Sequence, residues 1–177
     1  YRNLRFGHND LVIAISQSGE TADTLAAVRQ AKQQKAKILS VCNVVGSSLV
    51  KESDSIIYTL AGPEIGVAST KAYTAQVFCL FLFALYLAQI KKTLLAEVIK
   101  KMAAELKTVP GLIQELVEHT EKIKKISAKF SSMGCFLFLG RGTHYPSALE
   151  GALKLKEISY VPAEGYAAGE MKHGPIA

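Results

Sequence analysis

Apolar residues gather first in short unbroken runs and then in long stretches with helical periodicity. Leu11–Ser16 (LVIAIS) is a compact, branched-rich run that predicts a strand buried on both faces. Apolar Leu25, Ala26 and Val28 recur at helical spacing and predict a helix from Thr21 to about Gln34. Lys37–Cys42 (KILSVC) and Ser55–Leu60 (SIIYTL) repeat the strand signal, ending at Asn43-Val44-Val45-Gly46-Ser47-Ser48 and Ala61-Gly62-Pro63. Strand and helix alternate, which predicts an α/β fold on a parallel sheet.

Helical patterning then runs from about Ser69 to Lys129, with breaks near Lys91–Thr93 and at Pro110-Gly111. A further buried strand is predicted at Cys135–Leu139 (CFLFL). The loop Gly140-Arg141-Gly142-Thr143-His144 follows, then a helix to about Tyr160. A division near residue 133 follows from this order. Residues 1–133 hold the first α/β unit with connector helices, and 134–177 begin a second, which reads as one strand and its helix followed by an irregular glycine-rich segment.

The segment Ala72–Ile90 carries no charged residue, close to the roughly 20 apolar residues that span a bilayer. Its Thr74, Gln76 and Gln89, and its small polar entry Val67–Lys71, favour a buried core helix, and no membrane partner is expected. A content of 49% apolar and 20% charged residues excludes a disordered chain. The net charge of +6 suits anionic partners, but the lysines sit at helical spacing without interleaved aromatics, so a solvated face is the reading and no nucleic-acid partner is expected. Cys42, Cys79 and Cys135 stand far apart in apolar runs, which argues against a disulfide framework or zinc site and for buried thiols in a reducing, cytoplasmic setting. No metal-ligand spacing occurs, and Tyr1-Arg2-Asn3-Leu4 shows no targeting address.

Four segments could carry chemistry. Ser16-Gln17-Ser18-Gly19-Glu20-Thr21 lies where a parallel strand gives way to a helix, the place where open α/β sheets bind ligands. Its hydroxyls, amide and glycine would suit a phosphate, or would simply cap the helix. It is neither a Walker loop nor a Gly-x-Gly-x-x-Gly fingerprint. Glu64–Lys71 is a second small-residue loop, which closes over a ligand or only lets the next helix pack. Glu150, Lys154 and Glu157 share one helix face, as a surface ion network or as a carboxylate poised by a lysine for proton transfer. His173, in the glycine-rich Ala163–Pro175, is either structural or an acid–base group.

SQSGETADTL, CNVVGSSL, EIGVASTKAYTAQ, FLGRG, ALEGALKLKEISY and AEGYAAGEMKHGP occur in this order over almost the whole chain. Together they closely resemble the sugar-isomerase (SIS) region of the glutamine–fructose-6-phosphate aminotransferase family. Val45 stands where that family's Asn-Val-Pro-Gly form has proline. The resemblance implies an SIS-type three-layer α/β/α sandwich with parallel sheets, in two subdomains joined by long helices, both truncated here. It implies conversion of fructose 6-phosphate and glutamine-derived ammonia to glucosamine 6-phosphate, with no cofactor. Carried over by position, Ser16, Gln17, Ser18 and Thr21 would hold the sugar phosphate, and Val67 and Ser69 would line the sugar. Glu157 would move the proton between C1 and C2, Lys154 would help set proton positions, and His173 would assist ring opening from the partner subunit of a homodimer.

The family's glutaminase domain, expected upstream, has no counterpart in these residues. Nor do the first strand and helix of the first subdomain, or the carboxyl-terminal tail with its Schiff-base lysine. The chain by itself is therefore expected not to synthesise glucosamine 6-phosphate. The alternative is an SIS sugar-phosphate-binding regulatory module, which needs the Ser16–Thr21 loop but not Lys154, Glu157 and His173 together.

Overall fold

The computed structural model describes residues 4–176; Tyr1–Asn3 of the amino-terminal reading, and Ala177, lie outside the described residues. The chain divides into two compact units. One runs up to Ile65 and includes Ser69–Leu106; the other takes Gly66–Ala68 and the chain from Lys107 onward. The sequence pattern places residues 107–133 in the first unit as connectors, whereas packing groups them with the second.

The first unit is built on strands β1 (Leu11–Ser16), β2 (Lys37–Cys42) and β3 (Ser55–Tyr58), all parallel and in the spatial order β1-β2-β3. Helix α1 (Ala22–Gln33) connects the first two strands and α2 (Ser48–Glu52) the next two. Leu25, Val28 and Ala31 of α1 join Ala14, Ile38 and Leu49 in one buried cluster, the three helical positions falling a turn apart on one face. Ala26, read from the sequence as part of that face, is exposed, and Ala31 takes its place. Alternation sends Leu39 and Val41 to the opposite face, where both are buried and α3 (Lys71–Lys91) packs on β2.

Burial of β1 on both faces, expected from its apolar run, is not what the structure shows. Leu11, Ile13 and Ile15 are 50%, 39% and 43% exposed, because β1 lies at the edge of the sheet that the described residues form and α3 packs on β2. Helix α3 departs from expectation in the same way. It forms over the predicted stretch and is long and apolar enough to cross a membrane, yet only Ala72 and Leu85 along it are buried. It ends at Lys92 in the left-handed region, whose backbone N–H caps Ala88 and Gln89. Helix α4 (Ala96–Leu106) packs against α3 within this unit.

In the second unit, α5 (Val109–Glu118) and α6 (Thr120–Ala128) precede strand β4 (Phe136–Gly140). Pro110 opens α5 instead of kinking a longer helix, since a proline in the first turn gives up no intrahelical hydrogen bond. Helix α7 (His144–Ser159) then crosses to β5 (Ala163–Ala167), which pairs in parallel with β4. Strand β5 corrects the expectation of an irregular segment. Its AEGYA sequence has no branched residue to announce it, and Gly165 is required because a Cβ there would sit 2.9 Å from Leu149 Cα on α7. A 3-10 helix, Ala168–His173, follows with Met171 buried. Cys42 is buried and Cys79 partly so, with burial pushing the Cys79 thiol's pKa up; Cys135, expected buried, is exposed.

Candidate functional site

The loop after β1 is a tight turn made by its own side chains. Ser16 Oγ accepts the Gly19 N–H at 2.9 Å, and Ser18 Oγ accepts the Glu20 N–H at 3.2 Å. A serine oxygen that accepts from a backbone N–H keeps its own proton to donate elsewhere, which suits an anion. Gly19 has φ +69°, and a Cβ on it would fall 2.1 Å from Ser47 Oγ and 2.9 Å from Cys42 Sγ. Only glycine satisfies both the left-handed backbone and that approach. Thr21 occupies the N-cap position of α1 but makes no side-chain capping bond, so helix capping does not account for its hydroxyl.

Three loops at the carboxyl edge of this sheet are joined through Asn43. Its Nδ2 donates to the Gly62 carbonyl at 2.7 Å, and its Oδ1 accepts from Thr59 Oγ1 at 3.0 Å and from the Ala61 N–H at 2.8 Å. Its own N–H donates to the Gln17 carbonyl at 3.3 Å. The result is an open cleft of about 340 Å³ lined by Gln17, Asn43, Val44, Leu60, Gly62 and Pro63. Sequence reasoning passed over Asn43. The available signal was an amide directly after a buried strand, where it can serve several backbone groups at once.

Ser69 lies half-buried beyond β3, in the approach to α3. There Glu64 accepts from Thr70 Oγ1 at 3.1 Å and from the Ala72 N–H at 3.0 Å, satisfying a free donor at the helix start. Val67 belongs to the second unit and is 98% exposed, so its side chain has no packing role there.

Within the second unit, α7 brings Glu150, Lys154 and Glu157 together as their spacing required. Lys154 Nζ donates to Glu157 Oε2 at 2.6 Å and lies 3.4 Å from Glu150 Oε1. The three side chains are 23%, 21% and 33% exposed, which removes them from the fully solvated ion pairs of an ordinary surface helix. The Glu157 hydrogen bond, with the charges of Glu150 and Glu157, holds the Lys154 pKa above its ordinary value. The arrangement is a carboxylate carrying a cation on one oxygen, competent to exchange a proton at carbon if a substrate reaches it. His173 ends the 3-10 helix with its side chain exposed. Among the described residues no group of His, Cys, Asp and Glu could hold a metal ion.

The model of the SIS domain matches residues 3–86 and 129–177. Along its whole length the chain is 51% identical to the glutamine–fructose-6-phosphate aminotransferase [isomerizing] of Corynebacterium efficiens and 52% identical to that of Clostridium tetani. It spans 28% and 29% of those proteins. The solved C-terminal domain of glucosamine-fructose-6-phosphate aminotransferase from Francisella tularensis superposes with a TM-score of 0.95 at 49% identity, over 99% of this chain and 50% of that one. Glucosamine-6-phosphate deaminase from Thermotoga maritima, at 24% identity and a TM-score of 0.72 over 97% of this chain and 48% of that one, shares the fold. Parallel sheets with flanking helices and a domain model that matches most of the chain agree: the chain belongs to the SIS domain family.

Proposed function

We propose that these residues form the sugar-phosphate-binding and isomerising portion of an enzyme that converts fructose 6-phosphate and glutamine-derived ammonia to glucosamine 6-phosphate. Ser16, Gln17, Ser18 and Thr21 hold the phosphate; Val67 and Ser69 line the sugar. Glu157 takes the proton from C1 of the open-chain sugar and returns it at C2, while Lys154 neutralises the carboxylate and helps place the hydroxyl protons. His173 assists ring opening for the partner subunit, which makes the protein a homodimer. The glutaminase domain belongs to the same polypeptide.

The observation that carries the reading is the partly shielded Lys154–Glu157 hydrogen bond. A sensor of sugar phosphates needs the hydroxyl loop but has no use for a carboxylate poised by a lysine. Similarity along the whole chain to proteins named as isomerising aminotransferases supports the same choice. The absence of any close cysteine pair favours a cytoplasmic protein, and the polar Thr74, Gln76 and Gln89 within α3 weigh against a membrane span.

The test is a calorimetric titration of the longest natural polypeptide carrying this sequence with fructose 6-phosphate, with fructose as control and Ser18→Ala as a second sample. Phosphate-dependent binding weakened in the variant is expected. Equal binding of fructose, or none of either sugar, overturns the reading. Mixing Glu157→Gln and His173→Ala proteins should recover isomerase activity that neither has alone; no recovery after subunit exchange removes the shared site.

A further inference from the structure

The Ser16–Thr21 loop is fastened to one stretch of chain, Cys42–Leu49. The Gln17 carbonyl accepts the Asn43 N–H at 3.3 Å and lies 3.9 Å from Cys42 Sγ, and the Gly19 carbonyl accepts the Leu49 N–H at 3.0 Å. Both ties run from backbone carbonyls of the loop and use no loop side chain. The third is different in kind: Glu20 Oε1 accepts the Ser48 N–H at 2.8 Å. A carboxylate inside an anion-binding loop is an electrostatic liability, because like charges repel. Here the charge already has its partners. Ser48, through its hydroxyl and its N–H, holds the Glu20 pKa below its ordinary value, and the Lys51 charge adds to the effect.

We propose that Glu20 is the positioning residue of this loop: its carboxylate, fastened to Ser48, sets the Ser16–Thr21 backbone against Cys42–Leu49 without touching the ligand. This rests on the reading of the loop as the phosphate-holding element. It separates two roles within one motif. Ser16, Ser18 and Thr21 carry the hydroxyls read as donors to the ligand, whereas the Glu20 carboxylate braces the turn that presents them. The brace works through an acceptor in the right place, so glutamine, which keeps Oε1, substitutes for glutamate. Aspartate, one methylene shorter, does not.

Binding of fructose 6-phosphate to the longest natural polypeptide is measured by calorimetry for Glu20→Ala, Glu20→Asp and Glu20→Gln. Alanine and aspartate should each weaken binding about ten-fold, the size expected for loss of one hydrogen bond, and glutamine should stay within about three-fold of the parent. Ser48→Pro removes the donor from the other side of the contact. Proline is tolerated there because Ser48 is the first residue of α2 and Ser47 is extended, so this variant should reproduce Glu20→Ala. Amide exchange of residues 16–21 without ligand supplies the second measurement, faster in Glu20→Ala and Ser48→Pro and unchanged in Glu20→Gln. Binding by Glu20→Ala equal to the parent, or binding by Glu20→Gln as weak as by alanine, overturns the proposal. If the parent itself binds no sugar phosphate, the reading of the loop fails, and exchange alone then decides the brace: unchanged exchange in Glu20→Ala sinks it.

Discussion

The two clusters proposed to act on the sugar are held together in opposite ways. On α7, Glu150, Lys154 and Glu157 meet because one helix places residues three and four apart on one side, and their contacts need nothing beyond that helix. The Ser16–Thr21 loop owes its shape partly to itself, through Ser16 and Ser18, and partly to residues more than twenty positions away, through Asn43, Ser47, Ser48 and Leu49. A cluster of the first kind tolerates changes elsewhere in the fold and is sensitive to its own side chains. One of the second kind fails when its neighbours shift, even with every donor intact.

The contrast is sharpest for chemistry. Glu157→Gln should lower isomerase kcat about 100-fold or more while fructose 6-phosphate affinity stays within about three-fold, since a general base acts on the transition state and not on phosphate binding. A turnover assay beside a binding titration checks this; loss of both together would overturn the role of Glu157 as a general base that leaves phosphate binding alone. Gly19→Ala should do the reverse of a local change. Its left-handed φ and its approach to Ser47 predict a loss of about 1–3 kcal/mol in stability, read by urea unfolding, together with weakened sugar-phosphate binding. A fully stable variant would show that Cys42–Leu49 yields easily and is no template.

Smaller effects follow on each side. The folded Lys154 pKa is raised above its unfolded value near 10.4, so the stabilisation is complete at pH values below about 10 and is lost as pH rises through the folded value. Lys154→Met should therefore cost no more than about 1 kcal/mol at neutral pH, and its disadvantage to the parent should vanish at strongly alkaline pH. Unfolding midpoints across that range check the sign. Val45→Pro should stabilise the first unit by about 0.4–1 kcal/mol and leave binding unchanged, because Val45 is exposed and precedes Gly46 at φ +73°, the order of a proline–glycine turn. Destabilisation would mean that the Val45 backbone is not in the conformation proline requires.

Much of the fold could be read from local pattern. Strands β1, β2 and β4 are branched or aromatic runs, and α1 and α7 repeat at helical spacing, so each declared itself over a few residues. Strand β5 did not, because AEGYA is selected for close packing of Gly165 under α7 and not for strand propensity. The exposure of Leu11, Ile13 and Ile15 was equally hidden: an apolar run announces that it can be buried, and only strand order shows what covers it. In the candidate site, the α7 triad was legible from spacing. Asn43 was not, since its four hydrogen bonds tie its own loop to two others distant in the chain.

What the sequence determined by itself is therefore whatever depends on neighbours within a turn or a strand: the α/β order, the hydroxyl-rich loop after β1, the shared face of Glu150, Lys154 and Glu157, and the ordered motifs of the SIS family. Tertiary structure decided which strand is an edge, that AEGYA is a strand, that Gly19 must make room for Ser47, and that Glu20 answers to Ser48. Those are contacts between residues distant in the chain. No local pattern of apolar and polar positions encodes them, because they arise only when backbone groups that are far apart in sequence must find one another's hydrogen bonds.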